Sequence, residues 1–241
     1  MGIKFKYSDL VKWLVTDQDQ LTIVKENLVE HRKGDLKTYI KRGIFYSPDL
    51  DEIAHICEQL GITEEEFGVT EDNQYLFEGG FIIPVLDSKN RLMFFINHDY
   101  RRDKSKKYLN IYTDEHGGKE KELKLFGLHN LKQALKEDRI FVVEGVFDEL
   151  RLEQYGVPAV AGLGTKVMEY HKYFYKRFRH VIYIPDGDTS GESAWRKFKR
   201  EVPHAEVMWL PTNYGDVDEF GGKGKERFAE WIKMVKEYRK K

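Results

Sequence analysis

The sequence predicts an α/β protein: a doubly wound parallel sheet, preceded by a smaller α+β basic subdomain and an N-terminal helical region. Three observations carry this. Residues 139–210 alternate short apolar runs with helical stretches, which is the pattern of parallel strands joined by crossover helices. Two of those runs, Ile140–Val143 and Val181–Ile184, end directly in acidic turns, and a third run, Val207–Leu210, is followed by Asp216, Asp218 and Glu219. Upstream, Phe81–Leu86 and Leu92–Ile96 flank Asp87-Ser88-Lys89-Asn90, which reads as a β-hairpin.

In chain order, residues 1–74 read as helical. Leu21, Val24 and Leu28, then Leu36, Tyr39 and Ile40, then Ile53, Ile56 and Leu60 sit at helical spacings. Gly61 is placed to end the third of these, and Thr63-Glu64-Glu65-Glu66 reads as a cap followed by acidic first-turn residues. Residues 75–138 hold the hairpin and a basic stretch. Arg101, Arg102, Lys104, Lys106 and Lys107 bring five positive charges into seven positions, against Asp99 and Asp103. Residues 139–221 form the parallel-sheet domain. Within it Leu150, Leu152 and Tyr155 mark a helix ended by Gly156, Pro158–Ala161 a strand, and Ser190–Glu201 a helix. The aromatic and basic run 170–179 is expected to pack its rings on the sheet and turn its charges to water. Residues 222–241 close the chain with an amphipathic helix carrying Phe228, Trp231, Ile232 and Val235 on one face.

Composition excludes several classes. The formal net charge is −1 despite 34% charged residues, so a nucleic-acid surface must come from local asymmetry. The single Cys57 rules out an intrachain disulfide framework and a cysteine-based zinc ribbon. No apolar run approaches the ~18 residues that would span a bilayer. Together with the absence of a signal-peptide pattern this leads to a cytoplasmic expectation and no membrane partner. Gly162-x-Gly164 is too short for a dinucleotide fingerprint. The eight histidines show no metal-ligand spacing in the sequence.

The acidic residues carry the chemistry. Strand C-terminal ends share one rim in a parallel sheet. Carboxylates that meet there repel unless a cation lies between them, and oxygen-only donors favour Mg²⁺ or Mn²⁺. Glu144 leaves its strand beside Gly145, and Asp148 falls in the first turn of the next helix. Asp186 and Asp188 flank a glycine and can reach one side of a turn. Taken singly these are ordinary turn and cap residues. Three acidic groups at three strand ends are costly to hold without a cation.

The segments Val142-Val143-Glu144-Gly145-Val146-Phe147-Asp148 and Asp186-Gly187-Asp188-Thr189-Ser190-Gly191 resemble the two signature motifs of TOPRIM domains. Lys107-Tyr108-Leu109-Asn110, Leu125-Phe126-Gly127-Leu128, Gln154–Thr165 and Asp216-Val217-Asp218-Glu219-Phe220 are similar, in the same order, to elements of the bacterial DnaG-type primase core. Tyr39–Ile44 is similar to a run that precedes that core. The resemblance implies a DNA-dependent RNA primase core that makes short primers on single-stranded DNA from nucleoside triphosphates by two-metal-ion chemistry. It implies Glu144, Asp148, Asp186 and Asp188 as catalytic residues. Glu144, Asp186 and Asp188 would bind a first Mg²⁺ or Mn²⁺, and Asp216 and Asp218 would help hold a further metal and the triphosphate. Arg101, Arg102, Lys106, Lys107, Tyr108 and Asn110 would contact nucleic acid or nucleotide. No zinc is expected, because one cysteine cannot build the family's usual zinc domain. The tail is short for the family's helical bundle and helicase-binding domain. A replicative helicase or a separate template-reading protein is a further expected partner. The rivals are a TOPRIM nuclease using the same metals and a non-catalytic DNA-binding module. A topoisomerase, which needs a tyrosine domain, and a metabolic nucleotide hydrolase rank behind them.

Overall fold

A computed structural model of the protein describes residues 7–47, 50–67, 79–99, 108–112, 125–163, 167–211 and 214–240. The chain divides into two compact units, residues 1–31 with 35–121, and residues 32–34 with 122–241.

The first unit contains helices α1 (Tyr7–Thr16), α2 (Gln18–Val24, continuing as a π-helix over Lys25–Glu30), α3 (Leu36–Lys41), α4 (Leu50–Leu60) and α5 (Glu64–Phe67). Its antiparallel sheet runs in the order β1 (Phe45–Tyr46), β2 (Phe81–Leu86), β3 (Leu92–His98) and β4 (Tyr108–Tyr112). The predicted hairpin is β2–β3, and β3 runs two residues further than its apolar pattern, because Asn97 and His98 are also buried. Helix α2 is capped by the Asp17 carboxylate, which accepts from the Gln20 N–H at 2.9 Å. The core joins Leu10, Trp13 and Leu14 of α1 to Ile53, Ile56 and Cys57 of α4 and to Phe45, Ile82 and Phe95 of the sheet. Cys57 is therefore a packed thiol.

The second unit holds the parallel sheet. Its elements are β5 (Leu125–Phe126), α6 (Leu131–Glu137), β6 (Arg139–Val143), α7 (Val146–Gln154), β7 (Ala159–Gly162), α8 (Glu169–Tyr175), β8 (His180–Tyr183), α9 (Thr189–Glu201), β9 (Glu206–Val207), α10 (Val217–Lys223) and α11 (Lys225–Glu237). The strand order is β5-β7-β6-β8-β9, with β5 antiparallel to β7 and the other pairings parallel. The expected doubly wound sheet is present. Its central strands are buried on both faces, which is why they read as unbroken apolar runs. The third predicted strand is shorter than its pattern. After Val207 the chain leaves the sheet edge, and Trp209 is half exposed. The rings of Phe174, Tyr175 and Phe178 pack into the core while Tyr173 faces water, as the 170–179 pattern implies. Arg139 opens β6 fully inside the protein. Its guanidinium donates to Glu137 and to the Val235 and Tyr238 carbonyls, tying the end of α11 to the sheet. Among the described residues no helix is long and apolar enough to cross a membrane.

Candidate metal centre

Three loops at the C-terminal rim of the second unit's sheet carry the acidic residues. The chain leaves β6 at Glu144 and enters α7 through Gly145. Asp148, in the first turn of α7, accepts from the Gly145 N–H with Oδ2 (3.1 Å) and from the Asp218 N–H with Oδ1 (2.9 Å). One carboxylate thus ties the first acidic loop to α10. The chain leaves β8 through Ile184, whose N–H still donates to the Val142 carbonyl (2.8 Å). Asp186 follows, and its N–H donates to Glu144 Oε1 at 3.2 Å. The Tyr183 hydroxyl also donates to Glu144. Asp188 caps α9, accepting from the Gly191 N–H at 2.8 Å. Asp216 caps α10, accepting from the Glu219 N–H at 2.6 Å. The second and third loops are joined by the Gly187 N–H, which donates to the Gly215 carbonyl at 2.7 Å. A Cβ on Gly187 would run into the Tyr214 carbonyl, so the approach of these loops requires glycine.

The carboxylates sense one another. Burial, then the charges of Glu144, Asp216 and Asp188, push Asp186 up to about 7. Burial raises Glu144, with the charge of Asp188 adding to it, against the opposing bonds from Asp186 N–H and Tyr183. Asp148 is held well above the ordinary carboxylate range by burial and by Asp216, Asp186 and Asp218. Burial also raises Asp216, although the Glu219 N–H and the charge of Arg32 oppose it. Such a group gains when a dication replaces its protons, and its hard oxygen donors fit Mg²⁺ or Mn²⁺. Glu144, Asp186, Asp188 and Asp216 are the candidates to hold one. Asp148 is spent on the two backbone N–H groups it receives.

Asp218, which the motif places among the ligands, has a different neighbourhood. Its Oδ1 accepts from Arg151 Nε (3.1 Å) and Nη2 (2.8 Å), and its Oδ2 from Arg32 Nη1 (2.7 Å). Arg151 also donates to the carbonyls of Arg32 and Lys33 and to Gln154. Arg32 lies over the Phe147 ring, 3.7 Å from its centroid. Sequence reasoning missed both arginines. Arg151 had a weak signal, being a basic residue between Leu150 and Leu152 in a helix whose residues 146–152 are all buried. Arg32 had none. A second group also escaped it: donor atoms of His129, Glu149 and Glu153 all lie within 4.8 Å of one another. Glu149 and Glu153 are one helical turn apart on α7, but nothing in the chain announces His129 as their neighbour.

Of the residues expected to contact nucleotide or nucleic acid, Arg101, Arg102, Lys106 and Lys107 lie outside the described residues. Tyr108 and Asn110 lie on β4 of the first unit, paired with His98 and Ile96 of β3.

Comparison with known proteins places this arrangement. A family model described as Toprim-like matches residues 141–221. The DNA primase of Aquifex aeolicus is 31% identical over 209 residues, covering 80% of this chain and 41% of that protein. The DNA primase of Legionella pneumophila is 31% identical over 169 residues, covering 66% of this chain and 29% of that protein. The chain therefore spans well under half the length of these relatives. Among solved structures, the DnaG primase catalytic domain bound to single-stranded DNA superposes with a TM-score of 0.66 at 26% identity, covering 94% of this chain and 78% of that one. The zinc-binding and RNA polymerase domains of the Aquifex aeolicus primase give 0.72 at 24% identity, with 94% and 59% covered, a likeness of fold. With a Toprim-like segment, primase relatives and the fold of DnaG cores, the chain belongs to the DnaG-type DNA primase family.

Proposed function

We propose that this chain is the catalytic core of a DNA-dependent RNA primase, joining ribonucleotides on a single-stranded DNA template. The observation that carries the reading is the interlocking of three acidic loops at one sheet rim, with Asp186 pushed up to about 7 by its neighbours. Support for the substrate comes from the family and from the neighbour that was solved with single-stranded DNA.

Two divalent cations, Mg²⁺ or Mn²⁺, would supply activation of a ribose 3′-hydroxyl and neutralisation of the departing pyrophosphate. Glu144, Asp186 and Asp188 would hold the first, and Asp216 would help hold the second and the triphosphate. Glu144 is kept in place by the Asp186 N–H and the Tyr183 hydroxyl. Asp148 fixes the spacing between the first and third loops. Asp218 acts through Arg151 and Arg32, which hold the start of α10 and so the position of Asp216. Arg101, Arg102, Lys106 and Lys107, with Tyr108 and Asn110, are assigned to template and triphosphate binding, because a dense positive run attracts phosphates whatever their sequence.

The test is primer synthesis on mixed-sequence single-stranded DNA with all four NTPs and Mg²⁺ or Mn²⁺. Wild type should make short RNA, and Asp186→Asn/Asp188→Asn should make none. Equal product from both would remove the metal assignment. Cleavage of the DNA without NTPs would turn the reading to a nuclease.

A further inference from the structure

We propose that His129, Glu149 and Glu153 form a second metal site, structural in role, that binds a divalent transition cation such as Zn²⁺. His129 belongs to a 3₁₀ turn over Leu128–Asn130, between β5 and α6. Glu149 and Glu153 lie four residues apart on α7, on a different side of the helix from the one where Asp148 meets Asp218. His129 Nε2 is 3.2 Å from Glu153 Oε2 and 3.9 Å from Glu149 Oε1. A tetrahedral cation with nitrogen and oxygen donors at about 2.0–2.2 Å spaces those donors about 3.3–3.6 Å apart. The observed separations bracket that range.

Burial points the same way. The three side chains are 5%, 0% and 7% exposed. The surroundings are shaped for the carboxylate. Asn130 Nδ2 donates to Glu149 Oε1 at 2.9 Å, the kind of outer contact that orients a ligand. Gly127, at φ +93°, leaves open the space a Cβ would take, 2.8 Å from the same oxygen. An imidazole nitrogen in the donor set selects Zn²⁺-like ions over Mg²⁺. The cation would pin the middle and end of α7 to the turn after β5 and so steady the helix that carries Asp148. The expectation of no zinc rested on cysteine spacing, which does not report a site of this composition.

Zinc content of the full chain, measured after loading with Zn²⁺ and dialysis against excess Mg²⁺, tests this without any reference to RNA synthesis. Wild type should retain about one equivalent, and Asp186→Asn/Asp188→Asn should retain the same. Glu153→Gln and His129→Gln should lose it. Co²⁺ in the wild-type chain should give the visible bands of a nitrogen-containing tetrahedral site, a readout that no variant's folding can confuse. In the Asp186→Asn/Asp188→Asn background, where the rim no longer contributes, a chelator should lower the Tm and should leave it unchanged once Glu153→Gln is added. Zinc that disappears with Asp186 and Asp188, or a wild type that retains none and shows no Co²⁺ bands, would overturn the proposal and leave the trio as an internal ion pair.

Discussion

Asp216 and Asp218 stand two residues apart at the start of one helix and sense each other's charge, yet they meet different partners. Asp216 sits with Glu144, Asp186 and Asp188, where carboxylates face carboxylates and burial raises Asp186, Glu144 and Asp216 above their usual range. Asp218 sits between Arg151 and Arg32, where every carboxylate oxygen meets a guanidinium. The rim is a place where the chain has left negative charge for something else to neutralise. The clamp is a place where the chain has neutralised its own. One Asp-x-Asp motif thus faces carboxylates at its first residue and guanidinium groups at its third.

The comparison breaks most visibly at the clamp. Arg151→Ala leaves Asp218 buried beside one guanidinium instead of two and frees the Arg32 and Lys33 carbonyls, so stability should fall by about 3–5 kcal/mol. Urea unfolding would measure it, and a loss below 1 kcal/mol would show the clamp to be a solvated surface pair. Gly187→Ala should cost about 1–3 kcal/mol by driving the second loop off the Tyr214 carbonyl. Metal binding should weaken with it while the Arg151–Asp218 contact survives.

Asp186→Asn should move the other way. Removing a repelled carboxylate should stabilise the metal-free protein by about 1 kcal/mol after allowance for solvent. The sign with pH follows from linkage. Folded Asp186 keeps its proton up to about 7, whereas the unfolded group gives it up near 3.8. Between those values the folded state binds more protons, so this group's contribution to stability is lost as pH rises through the window. The stability advantage of Asp186→Asn over wild type should therefore grow between pH 4 and 7 in EDTA, and shrink in Mg²⁺. His171 works oppositely in the same window. Burial holds it down at about 4, below its usual 6.5, so it stays neutral in the folded protein and costs stability as pH falls toward 4. His171→Gln should flatten that arm of a Tm–pH curve.

These two regions were not equally legible in the sequence. The rim was readable because a parallel sheet puts its strand ends on one edge, so Glu144 and Asp186, each following an apolar run, had to be neighbours. The hairpin β2–β3 and the helices α2 and α4 were readable for a similar reason, since hydrophobic pattern and turn chemistry are local. The clamp was not. Arg32 precedes Asp218 by 186 residues, and no periodicity links them. The trio of His129, Glu149 and Glu153 was hidden likewise, with its helical pair visible and its third member supplied by tertiary packing. β5, two residues long and antiparallel at the sheet edge, carries too little pattern to be read as a strand.

The central claim is that the rim binds a divalent cation through Glu144, Asp186, Asp188 and Asp216 while the clamp does not. Calorimetric titration of Mg²⁺ above pH 7 addresses it directly, comparing wild type, Asp186→Asn/Asp188→Asn and Asp218→Asn. The account predicts binding by wild type, none by the double variant, and retained though weakened binding by Asp218→Asn, whose amide oxygen can still accept from one of the two arginines. Binding that survives loss of Asp186 and Asp188 but vanishes with Asp218 would contradict it.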